Sequence, residues 1–175
     1  LLLASLIPGA PADAAERLPA RWVPGDAAVS PAAADQSAPS LAAGGGMVLA
    51  LWSDNRANST GGYEGETSRD IYAMRFDGNG TPLDAVPFPV TAARASQEFP
   101  RAAFNGTNWL VVFESYDLTG TGGYYQKSLA AVRVAPDGSV LDPSPIRILN
   151  VSPVGATWAV ASDGKDWVVA MQGSA

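Results

Sequence analysis

Met47-Val-Leu-Ala-Leu-Trp52, Trp109-Leu-Val-Val-Phe113 and Trp167-Val-Val-Ala-Met171 are short apolar runs without alternation. A strand of that kind is buried on both faces, as in a sheet held between neighbours. The chain repeats itself around these runs. Pro39-Ser-Leu-Ala-Ala43 lines up with Pro100-Arg-Ala-Ala-Phe104, an offset of 61 residues. A Gly-containing turn follows in each copy, Gly44-Gly45-Gly46 and Asn105-Gly106-Thr107, and then the apolar run. A polar loop comes next and carries Thr-Gly-Gly-Tyr in both copies, at 60–63 and 121–124. Beyond it the offset is 58. There Ile71-Tyr-Ala-Met-Arg-Phe76 matches Leu129-Ala-Ala-Val-Arg-Val134, and Gly80-Thr-Pro-Leu-Asp84 matches Gly138-Ser-Val-Leu-Asp142. Pro87-Phe-Pro-Val90 matches Pro145-Ile-Arg-Ile148, and a third copy opens with Val160-Ala-Ser-Asp-Gly164.

Each full copy predicts four short strands. Asp77-Gly-Asn-Gly80 and Pro136-Asp-Gly138, before the last of them, are hairpin chemistry. No stretch sustains a 3.6-residue period. A four-stranded unit recurring every 58–61 residues predicts an all-β chain, an incomplete β-propeller of about two and a third four-stranded blades. The blades fall at 39–99, 100–157 and, in part, 158–175. Tandem β-sandwich repeats are the runner-up; the unit is short beside a self-contained sandwich of about 100 residues. Since closed propellers have about four to eight blades, the reading expects a piece of a longer protein, with neighbouring blades as partners.

The chain of 175 residues has 11 Lys+Arg against 17 Asp+Glu, and neither His nor Cys. That excludes a thiol nucleophile, a disulfide, a His general base and a His/Cys zinc site. A formal charge of −6 argues against a nucleic-acid binder, which needs a basic surface. No cofactor or metal is expected. Residues 1–10 are apolar and uncharged, and Ala12-Asp13-Ala14 has the small-x-small pattern of a signal-peptidase site. Residues 1–14 therefore read as the remnant of a secretory signal, and 15–38 as an Ala/Pro-rich linker. The apolar run is too short for a membrane span, which takes about 20 residues. The expected location is secreted, periplasmic or at the cell surface.

Trp52-Ser-Asp-Asn-Arg56, Asp70-Ile-Tyr-Ala-Met-Arg75, Gly80-Thr-Pro-Leu-Asp84 and the Asn105-Gly106 turn before Trp109 together resemble repeats of exported bacterial β-propellers. The resemblance covers about residues 39–175 and implies a multi-bladed exported module, without implying one activity. The second copy departs from it, with Phe113-Glu-Ser-Tyr-Asp117 where the first has Trp52-Ser-Asp-Asn-Arg56.

The candidate binding residues are Tyr63, Tyr124, Asp54, Arg56 and Glu114. Tyr63 and Tyr124 stand at matching places in the longest loops, where aromatic faces in a polar rim suit a carbohydrate or an extracellular peptide. A hairpin with Tyr folded back on the sheet is the plainer alternative. Arg75 and Arg133 read as structural ion pairs, with Asp54, Asp70 or Glu114 as partners. Asp77-Gly-Asn-Gly-Thr81 and Ser162-Asp-Gly-Lys-Asp-Trp167 are faint likenesses of a calcium loop and an Asp-box, and both read better as turns. No catalytic residue is assigned, although Asp54, Glu64, Glu66, Glu114 and Asp117 lie near the same loops. The favoured function is a non-catalytic recognition or surface module that binds glycan or peptide through blade loops. A propeller glycoside hydrolase or lyase using Asp/Glu is the alternative, which requires two convergent carboxyls. A structural spacer in a multidomain exported protein is the third.

Overall fold

A computed structural model of the chain describes residues 2–3, 21–22, 35–56, 69–91, 96–118, 125–149 and 158–172. Among the described residues the chain is all strand, turn and irregular backbone, without a helix. Strands β1 (Leu2–Leu3) and β2 (Arg21–Trp22) form a short antiparallel pair. Strands β3 (Gln36–Gly44), β4 (Met47–Asp54), β5 (Asp70–Asp77) and β6 (Phe88–Thr91) form one antiparallel sheet in chain order. Strands β7 (Gln97–Phe104), β8 (Trp109–Leu118), β9 (Tyr125–Val134) and β10 (Ile146–Leu149) form a second sheet of the same order. Strands β11 (Trp158–Ser162) and β12 (Trp167–Met171) make a hairpin.

The two large sheets are alike in detail. The β3–β4 pairing slips between Ser37 and Ser40, and the β7–β8 pairing slips between Glu98 and Arg101. Those slips take in Pro39 and Pro100, which have no N–H to give to a ladder. Ala38 and Phe99 sit in them with positive φ, 50° and 56°. The slip also explains why β3 starts at Gln36 rather than at Pro39, where the sequence places the first strand. At the far end, Arg75 pairs with Asp84 and Arg133 with Asp142. Their backbone N–H groups donate to the same carboxylates, each at 2.7 Å.

Alternation of side chains along the strands decides how the layers stack. Leu49, Leu51 and Ile71 of the first sheet meet Trp109, Val111 and Phe113 of the second. The second sheet turns Leu110, Val112 and Ala131 the other way, against Trp158, Trp167 and Val169 of the hairpin. It is thus buried on both faces, as its unbroken apolar run predicts. The run in β12 behaves differently: Trp167, Val169 and Met171 pack inward while Val168 is 65% exposed. Burial alternates along this strand, with Val168 and Ala170 on the exposed face.

Polar ties link the layers near the tight turns. Arg75 Nη1 donates to the Pro136 carbonyl at 2.7 Å, and Trp167 Nε1 donates to the Ala103 carbonyl at 2.9 Å. The turns stack closely as well. A Cβ on Gly106, at φ +90°, would lie 2.6 Å from the Gly164 carbonyl oxygen. Gly46, at φ +74°, faces open space. Gly106→Ala should therefore cost about 1–3 kcal/mol in urea denaturation, more than Gly46→Ala, which meets backbone strain alone. Equal costs for the two variants would remove the close-stacking argument.

Candidate functional site

The sheets have two unlike ends. At one end lie the tight turns and the Arg75–Asp84 and Arg133–Asp142 pairs. At the other end β4 finishes and β5 begins, β8 finishes and β9 begins, and the 57–68 and 119–124 connections join them. Every buried polar or charged residue among the described ones lies at this second end: Ser53, Asp54, Asp70, Thr91, Gln97, Glu114, Ser115 and Ser128. Burying such groups costs free energy unless partners compensate, so the partners define what this end does.

Asp54 is fully buried at the end of β4. Its Oδ2 accepts from Trp52 Nε1 at 2.8 Å and from Arg56 Nε and Nη2 at 3.0 and 2.7 Å. Its Oδ1 accepts from the Arg56 backbone N–H at 2.8 Å. Burial works against its charge, but the Arg56 and Trp52 donors outweigh burial and hold the carboxyl below its ordinary value. The Arg56 guanidinium lies 4.5 Å from the Tyr72 ring centroid, a cation–π contact. Directly across the ladder from Asp54 stands Asp70. It is 2% exposed, and its Oδ1 has no hydrogen-bond partner. Burial, and then the Asp54 charge, push its carboxyl up to about 6.

The second sheet solves the same place differently. Ser115 stands opposite Ser128, and Ser128 Oγ donates to the Ser115 carbonyl at 3.4 Å. Glu114, 2% exposed, lies 2.9 Å from Lys127 Nζ, which also sits 4.7 Å from the Tyr116 ring centroid. Glu114 first, and then Tyr116, raise the Lys127 ammonium above its ordinary pKa. Between the sheets, Arg69 Nη1 meets Glu98 Oε1 at 3.2 Å, and the Phe99 N–H donates to Ser53 Oγ at 3.2 Å.

Three of the five candidate residues, Asp54, Arg56 and Glu114, come to this end, each engaged in an ion pair. Tyr63 and Tyr124, with Glu64 and Glu66, lie outside the described residues, as does the side chain of Asp117. The partners expected for Arg75 and Arg133 are corrected. Asp70 is five positions from Arg75 along β5, about 16 Å at strand rise. The turn instead brings Asp84 back beside Arg75, and Asp142 beside Arg133. Asp77 Oδ1 accepts from the N–H groups of Asn79 and Thr81, and Asp163 Oδ1 accepts from those of Lys165 and Asp166. Both segments are turns closed by their own carboxylates. Among the described residues no three acidic side chains gather as a metal site, and no helix is long and apolar enough to cross a membrane.

Sequence reasoning left out Asp70, Lys127, Arg69 and Glu98 as members of this end. A register argument reaches the first: Asp54 closes β4 and Asp70 opens β5, so a hairpin sets them opposite. No family model, curated protein or solved structure matches the chain.

Proposed function

We propose that the chain is part of an exported β-propeller that recognises a glycan or peptide at the loop-bearing end of its sheets, without catalysis. Two stacked four-stranded meanders with matching bulges and matching Arg–Asp pairs support the propeller reading. The observation that carries the recognition reading is the gathering of all the described buried polar residues at one end. The ion pairs there, Asp54–Arg56, Arg69–Glu98 and Glu114–Lys127, neutralise one another. They make a fixed polar platform where the connections carrying Tyr63 and Tyr124 join the strands.

The test is a glycan and peptide array probed with the chain and with Tyr63→Ala/Tyr124→Ala. Each aromatic contact contributes about 0.5–1.5 kcal/mol, so the double variant should lose about fivefold or more in affinity while melting unchanged. Equal binding by both proteins sinks the reading. A propeller glycoside hydrolase draws on one observation: the Asp54 carboxyl is held below its ordinary value while that of Asp70 is raised to about 6, so the two are pushed apart as in an acid–base pair. Both carboxyls are shut away from solvent, which weighs against contact with a sugar. Hydrolysis of a chromogenic glycoside that disappears in Asp70→Asn would reverse this ranking.

A further inference from the structure

We propose that Asp54 and Asp70 form a proton-operated latch: protonated Asp70 keeps the loop-bearing end of β4 and β5 closed, and its ionisation loosens that end. The geometry has three parts. The two residues are directly opposed in the ladder and both are buried. Asp54 is committed to the charged form, because its four donors come from Trp52 and Arg56. Asp70 has no such commitment, since its Oδ1 meets no donor. A second carboxylate charge in that place is opposed by burial and by Asp54 together.

The remaining charges nearby are already engaged. Arg56 serves Asp54 and covers the Tyr72 ring. Arg69, the chain neighbour of Asp70, pairs with Glu98 of β7. On the β3 side, Gln36 stands opposite Asp54 and the exposed Asp35 lies one residue beyond. Strand β6, which pairs with β5 on its other edge, has no titratable side chain. On β7, which packs against both strands, Arg101 is exposed, and neither Arg56 nor Arg69 is spare to neutralise Asp70.

The second sheet is an internal control. Ser115 and Ser128 occupy the matching places, opposed in the same way, and they do not ionise. If local opening returns Asp70 to its ordinary value, the linkage has a definite sign. The closed end binds more protons than the open one above pH 3.8, so closure weakens as pH rises and levels off above about 6.

The test is hydrogen exchange on the whole chain at pH 5 and pH 7.5, corrected for intrinsic exchange. Amides of 51–54 and 70–73 should lose about tenfold in protection relative to those of 112–115 and 128–131. Asp70→Asn should abolish that difference. Equal pH response of the two sheets, or an unaltered response in Asp70→Asn, overturns the latch. Carboxyl NMR titration of the unmutated chain decides the matter should the variant fold poorly. An Asp70 midpoint near 6 supports the latch, and one in the ordinary carboxylate range overturns it.

Discussion

Arg56→Ala is expected to lower the unfolding free energy by about 3–5 kcal/mol at neutral pH, the cost of stranding one member of a buried ion pair. Asp54 is fully buried and the Arg56 side chain is 7% exposed, so water replaces neither partner. Truncation removes the two guanidinium donors and leaves the carboxylate with Trp52 Nε1 and one backbone N–H. The Asp70 carboxyl across the ladder would then face a charge with no cation beside it. Adding Asp54→Asn to Arg56→Ala should recover much of the loss, because the stranded charge disappears; the double-mutant cycle reads that coupling. The pH dependence supplies a second check. A carboxyl held below its ordinary value stabilises the fold above that value, and the contribution fades as pH falls through the folded pKa. Arg56→Ala should flatten that acid limb. A loss below about 1 kcal/mol, as for an exposed surface pair, would show that this end is open to water.

Much of the architecture was legible because strands report their surroundings through composition. The runs at Met47 and Trp109 are apolar on successive residues, and both faces of each are buried. The Asp-Gly turns close where their chemistry says they should, since an Asp side chain can accept from the N–H groups of the turn itself. The start of β3 was less legible. A proline looks like a boundary, but a bulge lets the strand run past it. The ion-pair partners of Arg75 and Arg133 were missed for a different reason. Proximity across a hairpin depends on register, and the Asp nine residues later returns to the Arg through a turn whose path the residue types alone do not reveal. The polar end was hardest to see. Asp54, Asp70 and Glu114 are residue types that ordinarily lie on surfaces. Their burial becomes visible only when the sheets are stacked.

The other large effect is expected at the contact between the sheets, from Trp109. It is wholly buried, and its ring lies 4.9 Å from that of Phe104, centroid to centroid, tilted by 52°. It belongs to the cluster that joins Leu49 and Leu51 of the first sheet to Val111 and Phe113 of the second. Trp109→Ala removes the ring and leaves a cavity between two layers whose strands cannot close over it, so about 3–5 kcal/mol should be lost. Trp109→Phe separates packing from polarity. Trp167, at the matching place in the hairpin, donates its Nε1–H to the Ala103 carbonyl. The Trp109 Nε1–H is buried with no hydrogen-bond partner, a standing cost. Phe keeps much of the ring and deletes that donor, so the two terms oppose each other and the net change should stay within about 1 kcal/mol. At Trp167 the same substitution deletes a made hydrogen bond and strands the Ala103 carbonyl, so Trp167→Phe should cost more than Trp109→Phe. Urea denaturation of the three variants reads the order. If Trp109→Phe proved the costlier of the two Phe variants, the indole at the sheet contact would have a partner, and the packing between the sheets would have to be redrawn.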